Sequence, residues 1–163
     1  MPNIGDSERK TQNRVVKFFR GELHYTYLGN LHDSENRNIM QEPLHSWLLK
    51  QGYSEKVAAN AVDALVKTST NLQQGLYHAN KEVYSLLKYG AKVKESVEQS
   101  PKTVYFIDFE DVSKNDFYIA EEVTIVSNNT KRPDVVIYVN GIALAVIELK
   151  KSSVSVSNGI RQN

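Results

Sequence analysis

Apolar positions in the first half of the chain recur at helical spacing. Asp6 or Ser7 is placed to cap a helix running to about Phe19, with Val15, Val16, Phe18 and Phe19 on its buried side and Gly21 stopping it. The polar stretch from Gly29 to Gln41 reads as a surface loop. Pro43 suits the first turn of a short helix carrying Leu44, Trp47 and Leu48. The strongest pattern runs from Ser54 to about Lys67: Ser54 is an N-cap, and Val57, Ala58, Ala61, Val62, Leu65 and Val66 form one stripe. A further helix over Lys81 to Lys88 buries Val83, Leu86 and Leu87, and Gly90 ends it.

Near Pro101 the period changes from helical to alternating. Thr103 to Phe109, Phe117 to Val126, Asp134 to Val139 and Ile142 to Leu149 read as strands, the last two joined by Asn140-Gly141, a strong hairpin signal. Helices followed by strands give an α+β or α/β layered domain with a mixed, largely antiparallel sheet. The expectation is one domain over residues 1–163, with a helical layer over about 7–90 and a sheet over about 102–150. Gly159 to Asn163 reads as the start of another helix, as in a piece of a longer chain.

Composition narrows the class. With 163 residues, 40% of them hydrophobic, the chain can bury a core. The absence of cysteine removes disulfides, thiolate metal sites and cysteine nucleophiles together. No apolar run approaches the roughly 20 residues of a membrane-spanning helix, and MPNIGDSERK lacks the order of a signal peptide, so a cytoplasmic protein with no membrane partner is expected. The formal charge of +1 hides an asymmetry: residues 130–163 carry five basic residues (Lys131, Arg132, Lys150, Lys151, Arg161) against two acids (Asp134, Glu148). That excess surrounds the candidate chemistry and makes Lys131, Arg132, Lys151 and Arg161 candidate contacts for a polyanion such as DNA, or simply solvated strand ends.

The informative constellation is Arg132-Pro133-Asp134, the hairpin, then Glu148-Leu149-Lys150. Glu148 and Lys150, two apart, project from one face at the end of an apolar strand, Ile142 to Ile147. Two carboxylates with a backbone carbonyl form a hard oxygen site suited to Mg²⁺ or Mn²⁺. Such an ion polarises a phosphodiester and lowers the pKa of a bound water, and Lys150 is placed to orient that water or neutralise charge on the phosphate. Register tests the idea. A regular two-residue turn sets Val139 against Ile142 and Asp134 against Ile147, on the opposite face from Glu148 and Lys150. A three-residue turn with Gly141 in a bulge, or an equivalent bend near Pro133, brings Asp134 and Glu148 to one face, and that is the expectation. The plainer alternative is a proline-aspartate strand entry and a solvated Glu-x-Lys pair.

The run Arg132-Pro133-Asp134-Val135-Val136-Ile137-Tyr138-Val139-Asn140-Gly141-Ile142-Ala143-Leu144-Ala145-Val146-Ile147-Glu148-Leu149-Lys150-Lys151 closely resembles the nuclease core of type I restriction enzyme R subunits. The segment from Glu8-Arg9-Lys10-Thr11-Gln12 to Leu23-His24-Tyr25-Thr26-Tyr27-Leu28-Gly29 resembles the opening of the same subunits. The resemblance implies a restriction-endonuclease-like fold and an Mg²⁺-dependent DNA endonuclease domain of the PD-(D/E)xK type, a type I site-specific deoxyribonuclease. Asp134 and Glu148 would match its metal ligands and Lys150 its catalytic lysine. Glu8 would match the acid that many such folds add from the first helix, and Gln162 the glutamine of a Gln-x-x-x-Tyr element whose tyrosine lies beyond this sequence. The family's nuclease works with an ATP-driven motor and with modification and specificity subunits. No G-x-x-x-x-G-K-[ST] loop occurs here, so ATP would serve the full-length subunit only.

Two alternatives remain: a catalytically silent DNA-binding or docking module, and a related repair or defence nuclease. His24, His32, His45 and His78 show no ligand-like i, i+4 pair, and no Gly-x-Ser-x-Gly elbow marks a hydrolase nucleophile. Tyr25 and Tyr27 alternate as in a short strand, where packing is a simpler role than stacking on bases.

Overall fold

A computed structural model describes residues 8–33, 38–125 and 130–150. The elements are α1 (Glu8–Gly21), β1 (Thr26–Asn30), α2 (Gln41–Lys50), α3 (Glu55–Thr70), α4 (Leu76–Tyr89), β2 (Ala91–Val93), β3 (Lys102–Val104), a 3-10 turn (Val112–Lys114), β4 (Phe117–Glu121), β5 (Val135–Val139) and β6 (Ile142–Ile147). They form a mixed α/β architecture divided into two compact units. The first takes in α1, β1, β4 and most of β5 and β6; the second takes in residues 39–116 and the β5–β6 turn, residues 139–142.

The first unit is built on a four-stranded sheet in the order β1-β4-β5-β6. β1 lies parallel to β4, with Tyr27 opposite Ile119 and Asn30 opposite Glu121 and an irregularity between those pairs. α1 covers the sheet through Val16, which packs with Ile119 and Val135, and Phe19, Tyr25, Tyr27 and Ile147 close around them. Apolar side chains at positions 12, 16 and 19 would make one complete helical stripe. Here the first of them is Gln12, and it is buried. Phe18, expected on the buried side, is instead 52% exposed.

The second unit centres on α2 and α3. Leu44, Trp47, Leu48, Val57, Ala58, Ala61, Val62 and Leu65 form its core with Val104 and Phe106. Ser54 caps α3 as expected, its Oγ accepting from the Val57 N–H. β2 and β3 pair antiparallel, Ala91 opposite Val104. α4 begins at Leu76, earlier than its apolar stripe indicates, and the strand expected over Thr103 to Phe109 is confined to Lys102–Val104.

The Asn140-Gly141 turn corrects one expectation. Both residues are left-handed, at φ 52° and 86°, and β5 ends at Val139 while β6 starts at Ile142. This is the two-residue primed turn, not the three-residue bulged one. Gly141 is required there: a Cβ would lie 2.7 Å from the Met40 carbonyl oxygen and 3.0 Å from the Leu44 nitrogen. The alternative, a bend near Pro133, is what occurs, because Asp134 sits in a bend and β5 begins one residue later. Strand alternation therefore does not dictate where its carboxylate points.

Candidate functional site

The end of the first unit's sheet where β4 stops, β5 starts and β6 stops gathers acidic side chains. At the β5 entry, the Leu149 N–H donates to Asp134 Oδ2 at 2.6 Å, which fixes this carboxylate across the end of β6. Glu148 and Lys150 follow β6, and Lys150 Nζ lies 3.1 Å from Glu148 Oε1. The two side chains remain accessible, at 27% and 30% exposure.

Burial, hydrogen bonding and charge together set how these groups titrate. Burial pushes the Asp134 carboxyl up; Glu148 and Glu122 push the same way, against the Leu149 N–H and the Lys150 charge. The hydrogen bond to Glu148 raises Lys150, and the charges of Glu148, Asp134 and Glu8 add to it. Asp134, Glu148 and Lys150 thus act on one another, and the field of Glu8, first residue of α1, reaches Lys150.

A second layer lies behind them and was not visible in the sequence. Glu121, the last residue of β4, is 5% exposed. Gln12 Nε2 donates to its Oε1 at 2.8 Å, the Tyr27 hydroxyl donates to its Oε2, and Arg9 Nη1 lies 3.6 Å from Oε1. Beside it, Glu122 takes φ 52° and donates its N–H to the Asp134 carbonyl at 3.0 Å. Gln12 Nε2 also reaches that carbonyl, at 3.3 Å. The Asp134 main chain is thereby held by α1 and by the end of β4, while its side chain is held by the end of β6. The one sequence signal for this layer is a glutamine on the apolar stripe of α1; a buried polar side chain needs partners.

Among the described residues no three His, Asp or Glu side chains converge as a ready-made metal cage. The donor set still suits a hard divalent cation. Asp134 and Glu148 are the carboxylates available to one, main-chain oxygen and water would complete the shell, and a cation relieves the repulsion from Glu148 and Glu122 that adds to burial in raising Asp134. Of the DNA-contact candidates, Lys131 and Arg132 are exposed, with the Lys131 backbone bridged to Ile125. Lys151, Arg161 and Gln162 lie outside the described residues. Among the described residues no helix is long and apolar enough to cross a membrane.

Comparison with known proteins converges on one group. A family model described as "Type I restriction enzyme R protein N terminus" matches residues 6–163. The chain is 33% identical over 91 residues to the putative type I restriction enzyme MjaIXP endonuclease subunit of Methanocaldococcus jannaschii, covering 52% of this chain and 9% of that protein. It is 35% identical over 96 residues to the type I restriction enzyme HindI endonuclease subunit of Haemophilus influenzae, covering 56% of this chain and 9% of that protein. The matched segment is thus less than a tenth of either curated relative.

Proposed function

The chain belongs to the family of type I restriction enzyme R protein N termini, and from that premise we propose that it is the Mg²⁺-dependent nuclease domain of such a subunit, hydrolysing phosphodiester bonds in double-stranded DNA. The observation that carries the reading is a desolvated Asp134 carboxylate held across the end of β6 from the Glu148–Lys150 pair.

Asp134 and Glu148 would hold the ion. Once bound, Mg²⁺ or Mn²⁺ would polarise the scissile phosphate and acidify a water molecule. Asp134 Oδ2 is committed to the Leu149 N–H, which leaves the other oxygen to face a ligand. Lys150, kept protonated by its acidic neighbours, would donate to a non-bridging phosphate oxygen as negative charge grows there. Glu8 would add to the negative field at the same end. The sequence has no phosphate-binding loop for ATP, so ATP dependence, sequence recognition and the modification and specificity partners would belong to the full-length enzyme.

Titration calorimetry with Mn²⁺ and Mg²⁺ tests the ligands, and metal-dependent nicking of plasmid DNA tests the chemistry. Binding by the wild type that vanishes in both Asp134→Ala and Glu148→Ala is expected, together with nicking lost in each. Equal metal binding in all three proteins would overturn the reading. DNA binding without metal-dependent cleavage would favour a silent docking module.

A further inference from the structure

We propose that the outer face of α1 is a second contact surface for the DNA backbone, a cationic strip that seats phosphates beside the acidic sheet end. The proposal rests on the nuclease reading for the identity of the polyanion, and on α1 itself for the surface.

Helix α1 carries five basic residues, Arg9, Lys10, Arg14, Lys17 and Arg20, against one acid, Glu8. The chain as a whole has 20 basic and 19 acidic residues, so everything outside α1 is left with 15 against 18. Positive charge is therefore concentrated in this helix. It is also sorted around the helix. At about 100° per residue, the order Arg9, Arg20, Asn13, Lys17, Lys10, Arg14 fills one continuous arc of about 140°. The buried Gln12 and Val16 lie outside that arc and face the sheet, and Glu8 lies on the far side. Lys10, Asn13, Arg14 and Lys17 are all exposed.

One edge of the arc is tied to the candidate centre. Arg9 Nη1 lies 3.6 Å from Glu121 Oε1 and 3.8 Å from Glu122 Oε1, and Arg20 stacks over the Tyr27 ring at 4.8 Å. Beside Arg20, Asn13, Lys17, Tyr27 and Glu121 line a shallow depression. A centre built from Asp134, Glu148, Glu121 and Glu122 repels a polyanion, so a substrate strand needs cations next to it. From Lys10 to Lys17 the helix rises about 10 Å, matching about three nucleotide steps of 3.4 Å along one DNA strand. Lysine, arginine and asparagine at this spacing offer donors to phosphate oxygens and read no base edge, so the contact is sequence-independent and weakened by salt.

The test is anisotropy of a labelled duplex of mixed sequence across an NaCl series in EDTA, where cleavage cannot contribute. The proteins are the wild type, Lys10→Gln/Arg14→Gln/Lys17→Gln, and a control of equal charge change on exposed positions of α3 and α4, Lys56→Gln/Lys67→Gln/Lys81→Gln. Three lost phosphate contacts should lower the slope of log K against log[salt] by about two to three and weaken binding at least ~30-fold near 0.1 M NaCl. The control should stay within ~3-fold of wild type. A wild type that does not bind, an α1 variant that binds like wild type, or a control that loses as much would each overturn the proposal. Should the triple variant fold poorly by circular dichroism, Lys17→Gln alone carries the test, with a slope change near one. The two readings fail separately. Asp134→Ala that binds duplex normally in a protein that never cleaves leaves the surface standing and removes the nuclease. Loss of cleavage in Asp134→Ala with unaltered binding by the α1 variant does the reverse.

Discussion

Asn140 and Glu121 are both buried polar side chains, at 0% and 5% exposure, one in each unit. Asn140 sits in a neutral network. Its Oδ1 accepts from the Asp116 N–H at 2.7 Å, and its Nδ2 donates to the Phe106 carbonyl at 2.9 Å and to Asn115 Oδ1 at 2.8 Å. Its own N–H reaches the Asp116 carbonyl at 2.8 Å. Every one of these bonds serves to hold the turn before β6 against the loop after β3. Glu121 instead is a carboxylate buried behind Asp134 and Glu148 and beside Glu122, with Arg9 Nη1 3.6 Å from its Oε1 and Lys150 paired with Glu148. Gathering like charges costs folding energy. A neutral, saturated network is accounted for by the fold it holds; a desolvated carboxylate among others of its sign calls for a role beyond folding.

That contrast yields variants that should part the two clusters. The largest effect is expected for Lys150→Ala: metal-dependent nicking falls about 10²- to 10³-fold, as for loss of one donor to a developing oxyanion. Metal binding by calorimetry should persist, because the lysine opposes the cation. Loss of metal binding along with cleavage would make Lys150 a scaffold for Glu148 instead. Next comes Asn140→Ala, which strands three partners, two of them buried, and puts alanine at φ 52°. Chemical denaturation should show a loss of about 3–5 kcal/mol, with metal affinity of the folded fraction unchanged. Gln12→Leu is milder, since Tyr27 and Arg9 still serve Glu121: about 1–3 kcal/mol. Its sharper readout is cleavage, expected to drop about tenfold as the Asp134 main chain loses one of its two anchors, with glutamate at this position giving no rescue.

Local chemistry carried much of the sequence reading. Ser54 announces α3 because an N-cap and an apolar stripe lie within one turn of each other, and Asn140-Gly141 announces the hairpin because both residues tolerate φ > 0. Asp134, Glu148 and Lys150 could be grouped for the same reason: a short hairpin brings their ends together. The bulged turn was the wrong route to that grouping, since the bend at Asp134 lies outside the strand and frees it from alternation. What stayed hidden is non-local. β1 joins the sheet through parallel pairing with residues some ninety positions away, and nothing near Thr26–Asn30 encodes that partner. Glu121 reads like any solvated strand end until α1 and β1 arrive to bury it. Even Gln12, a polar residue on an apolar stripe, gains meaning only from what it meets.

The smallest effect, and the most direct probe of the charged cluster, is the pH dependence of Asp134→Asn. In the wild type the Asp134 carboxyl holds its proton more tightly when folded than when unfolded. Between the unfolded and the raised folded pKa the native state binds more protons, so stability falls as pH rises through that window. Below it, the aspartic acid is neutral in both states and asparagine is its near equal; the amide oxygen can still accept the Leu149 N–H. Melting temperatures in EDTA should therefore coincide near pH 3 and diverge upward, the asparagine variant standing higher by a few degrees at pH 7. Adding Mn²⁺ should reverse the order, because a ligand that binds only the native wild type raises its melting temperature and leaves the variant where it was. An asparagine variant that melts below wild type at pH 7 without metal would mean that the Asp134 charge stabilises the fold. The acidic sheet end would then be a structural cluster of the same kind as the Asn140 network.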